Sequence, residues 1–65
     1  MSVGENLKNA RKAAGLTQKE LADKLEVYAK DISRWENGER TPGVPALIKI
    51  CKTLHVSADE LLELK

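Results

Sequence analysis

Residues 17–38 read TQKELADKLEVYAKDISRWENG. The stretch opens on Thr17 with Glu20 three residues later, a capping box that marks a helix start. Leu21, Ala22 and Leu25 then recur at helical spacing. The pattern restarts after Glu26 and Val27, with Ile32 and Trp35 as a new apolar stripe, and stops at Gly38. This predicts two short helices joined by a tight turn, the second spanning Ala29 to Asn37. At ~100° per residue, Ile32, Trp35 and Glu36 point one way on that helix. Ala29, Lys30, Ser33, Arg34 and Asn37 point the other way. The outer stripe is therefore cationic and hydrogen-bonding, free of large apolar groups.

The same logic extends outward in both directions. Two further capping boxes, Ser2-x-x-Glu5 and Ser57-x-x-Glu60, mark the starts of a first and a last helix. Gly15 closes the first helix, and Gly15 and Gly38 are both expected in the left-handed conformation. Pro42 and Pro45 bracket the loop and opening turn before a fourth helix, Val44 to Leu54. A fifth, short helix is expected from Ala58 to Leu64. Leu7 and Ala10, then Leu47, Ile50, Cys51 and Leu54, then Leu61 and Leu62 give these helices their buried stripes. Leu16, Val27 and Val56 sit at the junctions and should plug the corners. The fold class predicted is all-α, a five-helix bundle forming one domain over residues 1–65.

Composition narrows the function. Hydrophobic residues make up 42% and charged residues 32%, with four glycines and two prolines, which favours helix over sheet or disorder. No apolar run approaches the ~20 residues that cross a bilayer, and no amino-terminal signal pattern is visible. A cytoplasmic protein that neither spans nor binds a membrane is expected. The net charge is only +1. Its distribution is uneven, however. Lys8, Arg11, Lys12, Lys19, Lys24, Lys30, Arg34 and Arg40 precede residue 41, whereas Asp59, Glu60 and Glu63 crowd the end against Lys65. That asymmetry weakly favours a polyanionic partner.

Catalysis and metal binding find little support. Cys51 and His55 lie four apart on one helix, at metal-ligand spacing, but no third ligand follows at a recognisable spacing. Cys51 is expected to fill core, and His55 to close the fourth helix. Ser33, His55 and Asp59 contain the residue types of a hydrolytic triad, but any small chain offers such a set by chance. With no glycine-rich phosphate loop and no paired carboxylates in an apolar setting, no enzyme activity, cofactor, metal or small-molecule substrate is expected.

The chain resembles the lambda-repressor/Cro (Cro/C1-type, XRE-like) helix-turn-helix family. The resemblance runs from about Glu5 to Leu62 and rests on GLTQKELA at 15–22, ISRWENG at 32–38, Pro42, and VSADELL at 56–62. It implies a compact bundle whose third helix enters the major groove of double-stranded DNA. By position, Ala29, Lys30 and Arg34 would face the groove, with Ser33 on the same stripe. Lys30 and Arg34 suit that role because both donate to guanine O6 and N7. Ala29 departs from the family pattern: it offers a methyl but no hydrogen bond, so part of the readout is missing or moved. Gln18 and Asn37 match phosphate-contacting positions, and Arg40 could also reach the backbone. Ordinary helix-end capping is the alternative for Gln18 and Asn37. Arg11 and Glu36 match a structural ion pair between the first and third helices, and Glu36 lies on the inner edge of its helix as that requires.

Two residues argue the other way. Asp31 stands in the first turn of the reading helix and would repel phosphate. It also has a local task, accepting a hydrogen bond from the Tyr28 N–H, because Tyr28 at the N-cap position has no short acceptor. Glu26 occupies a turn position where the family has glycine, and a left-handed turn would strain it. The leading functional reading is a sequence-specific DNA-binding transcriptional regulator, a repressor. It would act as a dimer on a palindromic operator through the C-terminal helix, with a leucine to spare among Leu61, Leu62 and Leu64. The alternative is a protein-interaction module of antitoxin or coactivator type built on the same bundle, and a third is a stability scaffold without function of its own.

Overall fold

The computed structural model describes residues 3–62. Five helices follow in chain order: α1 (Val3–Ala13), α2 (Gln18–Leu25), α3 (Ala29–Glu36), α4 (Val44–Leu54) and α5 (Ala58–Leu62). Local signals account for their ends. The Thr17 hydroxyl accepts from the Glu20 N–H at 3.0 Å, and the Glu20 carboxylate accepts from the Thr17 N–H at 2.8 Å. The Ser57 box closes the same way, with Glu60 N–H donating to the Ser57 hydroxyl at 3.1 Å. The box expected on Ser2 falls on a residue outside the described ones, as do Glu63, Leu64 and Lys65, so α5 is described only to Leu62. Gly43 caps α4, with Pro45 in its first turn.

Four residues leave their helices in the left-handed region: Gly15 (φ 75°), Gly38 (φ 81°), Glu26 (φ 59°) and His55 (φ 56°). The two glycines take this conformation without cost. Glu26 does not, so the strain anticipated in the α2–α3 turn is present. His55 closes α4 in the same geometry, its N–H donating to the Cys51 carbonyl.

The core draws on every helix. Leu7 from α1, Leu21, Ala22 and Leu25 from α2, Ile32 from α3, Ile50 and Leu54 from α4, and Leu61 from α5 are buried together. Leu16, Val27 and Val56 pack against this cluster from the corners, as expected. Burial is lighter than the stripes predict at several positions. Ala10, Trp35, Leu47 and Cys51 are only half-buried against the core, and Leu62 is half-buried as well. The reason is size: a body of 30 × 23 × 21 Å has room inside for about one residue per helical turn. The other stripe members line its rim.

One contact has no counterpart in the apolar pattern. Gly4 of α1 lies against the carboxyl end of α3, so that a Cβ there would stand 2.6 Å from the carbonyl oxygens of Trp35 and Glu36. Only a residue without a side chain lets the two backbones approach this closely. Nearby, the Asn6 amide donates to the Leu61 carbonyl at 2.9 Å and ties α1 to α5.

Candidate nucleic-acid interface

The inner side of α3 is fixed by Ile32, which is fully buried, and by Glu36. The Glu36 carboxylate accepts from Arg11 Nε at 2.6 Å and from Arg11 Nη2 at 3.1 Å, a two-pronged ion pair inside the bundle. Arg11 Nη1 donates at the same time to the Leu16 carbonyl at 2.8 Å. The hydrogen bond to Glu36 holds the Arg11 guanidinium above its already high ordinary range, outweighing the opposing effect of burial. A third partner completes the arrangement. Gln18 Nε2 donates to Glu36 Oε1 at 3.0 Å. α1, α2 and α3 therefore meet at one carboxylate, with Arg11 also holding the α1–α2 loop, and no buried side-chain polar atom among the described residues lacks a partner.

Gln18, expected to contact phosphate or to cap its helix, has its amide nitrogen committed to the ion pair in this structure. Asn37 follows the last residue of α3 instead of belonging to the helix, and its amide donates to the Ser33 hydroxyl at 3.4 Å. Its exposed position leaves it accessible. Arg40 is exposed in the loop after Gly38, where its N–H and that of Glu39 both donate to the Arg34 carbonyl.

The outer side of α3 presents Ala29 and Lys30, both exposed, and Ser33 and Arg34, both half-buried. Lys30, Arg34 and Arg40 form no ion pair among the described residues. Asp31, half-buried, accepts from the Tyr28 N–H at 3.3 Å, the role its position suggests. Cys51 and His55 do not converge on a ligand site. Cys51 packs toward the core while His55 is exposed at the helix end, and among the described residues no three His, Cys, Asp or Glu side chains group as a metal would need.

A buried carboxylate thus clamps three helices beneath an exposed cationic helix face. The model of the helix-turn-helix family matches residues 7–61. The chain belongs to the helix-turn-helix family of lambda-repressor/Cro type. Its similarity to the transcriptional regulator ImmR of Bacillus subtilis is 44% identity over 62 residues, covering 95% of this chain and 49% of that protein. The phage CTXphi transcriptional repressor RstR of Vibrio cholerae is 38% identical over 61 residues, covering 94% of this chain and 54% of the relative. This family member thus spans about half the length of the curated relatives it matches. Among solved structures, the P22 c2 repressor bound to a synthetic operator superposes with a TM-score of 0.93 at 31% identity, covering 100% of this chain and 98% of that one. No helix among the described residues of this family member is long and apolar enough to cross a membrane.

Proposed function

We propose that this chain is the sequence-specific double-stranded DNA-binding domain of a transcriptional repressor, that α3 reads the major groove, and that the protein acts in the cytoplasm without catalysis. The observation that carries this reading is the asymmetry of α3, whose inner side is clamped through Glu36 while Lys30 and Arg34 stand outside without anionic partners. The names of its relatives, a regulator, a phage repressor and an operator-bound repressor, support the same assignment.

In this mechanism Lys30 and Arg34 donate to guanine edges, Ser33 hydrogen-bonds beside them, and Ala29 offers its methyl. Asn37 and Arg40 set the register on phosphate oxygens. The Gln18 amide oxygen stays free of the clamp, but phosphate needs a donor. Gln18 therefore serves phosphate through the backbone N–H groups at the start of α2, where the helix dipole favours an anion. One unit is at most 30 Å long, shorter than the ~34–36 Å between half-sites one helical turn apart. Two copies, joined through the C-terminal helix, would read both halves of a palindrome. Half-buried Leu62 lies on that helix, and Leu64 lies outside the described residues.

Selection from a random duplex pool tests the proposal, with an enriched palindrome as the expected result. On the selected duplex Arg34→Ala should lose ~1–3 kcal/mol and relax preference at one position. Arg40→Ala should weaken all duplexes about equally and flatten the salt dependence. If no duplex is preferred over random sequence, the protein-interaction module becomes the better account.

A further inference from the structure

Tyr28 is the most exposed large hydrophobic side chain among the described residues, at 81%. It occupies the N-cap of α3 with extended backbone (φ −83°, ψ 147°), and its side chain makes no capping hydrogen bond. The fold has a better choice for this position. A short Ser, Thr, Asn or Asp would cap the helix, at a gain in stability over a residue that cannot. Here the neighbouring carboxylate substitutes in part, with Asp31 accepting the Tyr28 N–H. Packing and capping therefore leave the aromatic ring unexplained.

Its location explains it. In helix-turn-helix docking, the amino-terminal residues of the second helix are those that meet base edges. The next residue, Ala29, is too short to reach beyond a methyl contact. We propose that Tyr28 is a specificity-determining residue that lays its ring against the C5-methyl of a thymine in the major groove. The inference rests on the DNA-reading function proposed above. Apolar side chains recognise thymine by this methyl, the feature that separates it from cytosine's amino group at the same edge. A tyrosine brings a large flat surface with few rotors to freeze. Asp31 accepts from the Tyr28 N–H, so a carboxylate stands at the backbone of this residue and disfavours a phosphate there.

The experiment uses the whole chain and its selected duplex. Each thymine is replaced in turn by deoxyuridine, which removes only the methyl, and binding is measured for wild type, Tyr28→Phe and Tyr28→Ser. At one thymine per half-site, wild type and Tyr28→Phe should lose about fourfold on removal of the methyl, the value of one buried methyl-sized group. Tyr28→Ser should bind the thymine and deoxyuridine duplexes equally. Because Tyr28→Ser installs a preferred N-cap side chain, its thermal midpoint should be at or above wild type, which separates lost contact from lost fold. The proposal is overturned if Tyr28→Ser keeps the methyl dependence. It is equally overturned if Tyr28→Phe loses affinity with no dependence on any methyl, the mark of a hydroxyl-to-phosphate contact. A wild type that selects no duplex at all overturns the DNA-reading function itself, a result distinguishable from both.

Discussion

The two faces of α3 are governed by different constraints. Inward, Ile32 is sealed in the core and Glu36 is held by three hydrogen bonds from two side chains, Arg11 and Gln18. Outward, Tyr28, Ala29 and Lys30 are exposed and nothing in the bundle dictates their identity. The inner face must satisfy close packing and a buried charge at once, so few residues are acceptable there. The outer face answers only to whatever binds it. A helix divided in this way lets recognition change while the scaffold stays fixed.

The sharpest way to break this contrast is at Glu36. Glu36→Ala leaves the Arg11 guanidinium buried without its partner and should cost ~3–5 kcal/mol. A domain of this length holds about 3–10 kcal/mol in total. Circular dichroism in denaturant should therefore find the variant largely or wholly unfolded in buffer. A midpoint near that of wild type would show that the clamp does not anchor α3. Arg34→Ala, on the outer face of the same helix, should by contrast leave the midpoint unchanged while binding falls.

Gly4→Ala comes next. It adds one carbon where two backbone carbonyl oxygens stand 2.6 Å away, and backbone cannot swing aside as a flexible side chain does. The expected cost is ~1–3 kcal/mol, read as a lowered thermal midpoint. An unchanged midpoint would mean that α1 and α3 can separate without penalty, and that the inner face tolerates more change than its close packing implies.

The corner that delivers the chain into α3 gives a smaller effect of opposite sign. Glu26 adopts φ 59°, which strains any residue with a Cβ. Glu26→Gly should raise stability by about 0.5–1 kcal/mol despite the greater freedom of glycine in the unfolded chain. His55→Gly, with φ 56° at the end of α4, should behave alike. A fall in both denaturant midpoints would show that unfolded-state entropy outweighs the strain.

The smallest effect lies at the exposed start of α2. The Glu20 carboxyl is held below its ordinary range, chiefly by the hydrogen bond from the Thr17 N–H, with the Thr17 side chain and Lys24 adding to it. A depressed folded pKa means a contribution to stability that is fully present above the unfolded pKa. It fades as pH falls through the folded one. Titration of the Glu20 carboxyl by NMR should give a midpoint below that of a free glutamate, and Thr17→Ala, which removes the hydroxyl but keeps the backbone N–H, should raise it only part of the way. An unshifted midpoint in wild type would show that the capping box does not hold the start of α2 in solution.

Much of the architecture was legible because its signals are local. The α4 bounds, its closing at His55 and the Asp31 hydrogen bond each depend on residues within one helical turn. The candidate interface was legible in outline for the same reason: a helical wheel separates Ile32 and Glu36 from Lys30 and Arg34. The rest needed distant neighbours. Gly4 carried a faint signal, since a glycine inside a helix costs ~1 kcal/mol and so hints at a close approach. Nothing in the sequence names Trp35 and Glu36 as what it approaches. Trp35 was expected to be buried and is half-buried, because the periodicity of a stripe reveals direction but not depth.

The start of α2, the bounds of α4 and the side of each helix that faces inward were written in the chain itself. Those properties follow from backbone capping, glycine and proline stereochemistry and a 3.6-residue period, all short-range effects. Packing between helices was needed to bring Gln18 to the Arg11–Glu36 pair across 18 residues of chain, to carry Asn6 to Leu61 across 55, and to leave Tyr28 uncovered. Such contacts depend on how whole helices stack, and the stacking is set by the summed fit of the core at once. No local window of residues contains that sum.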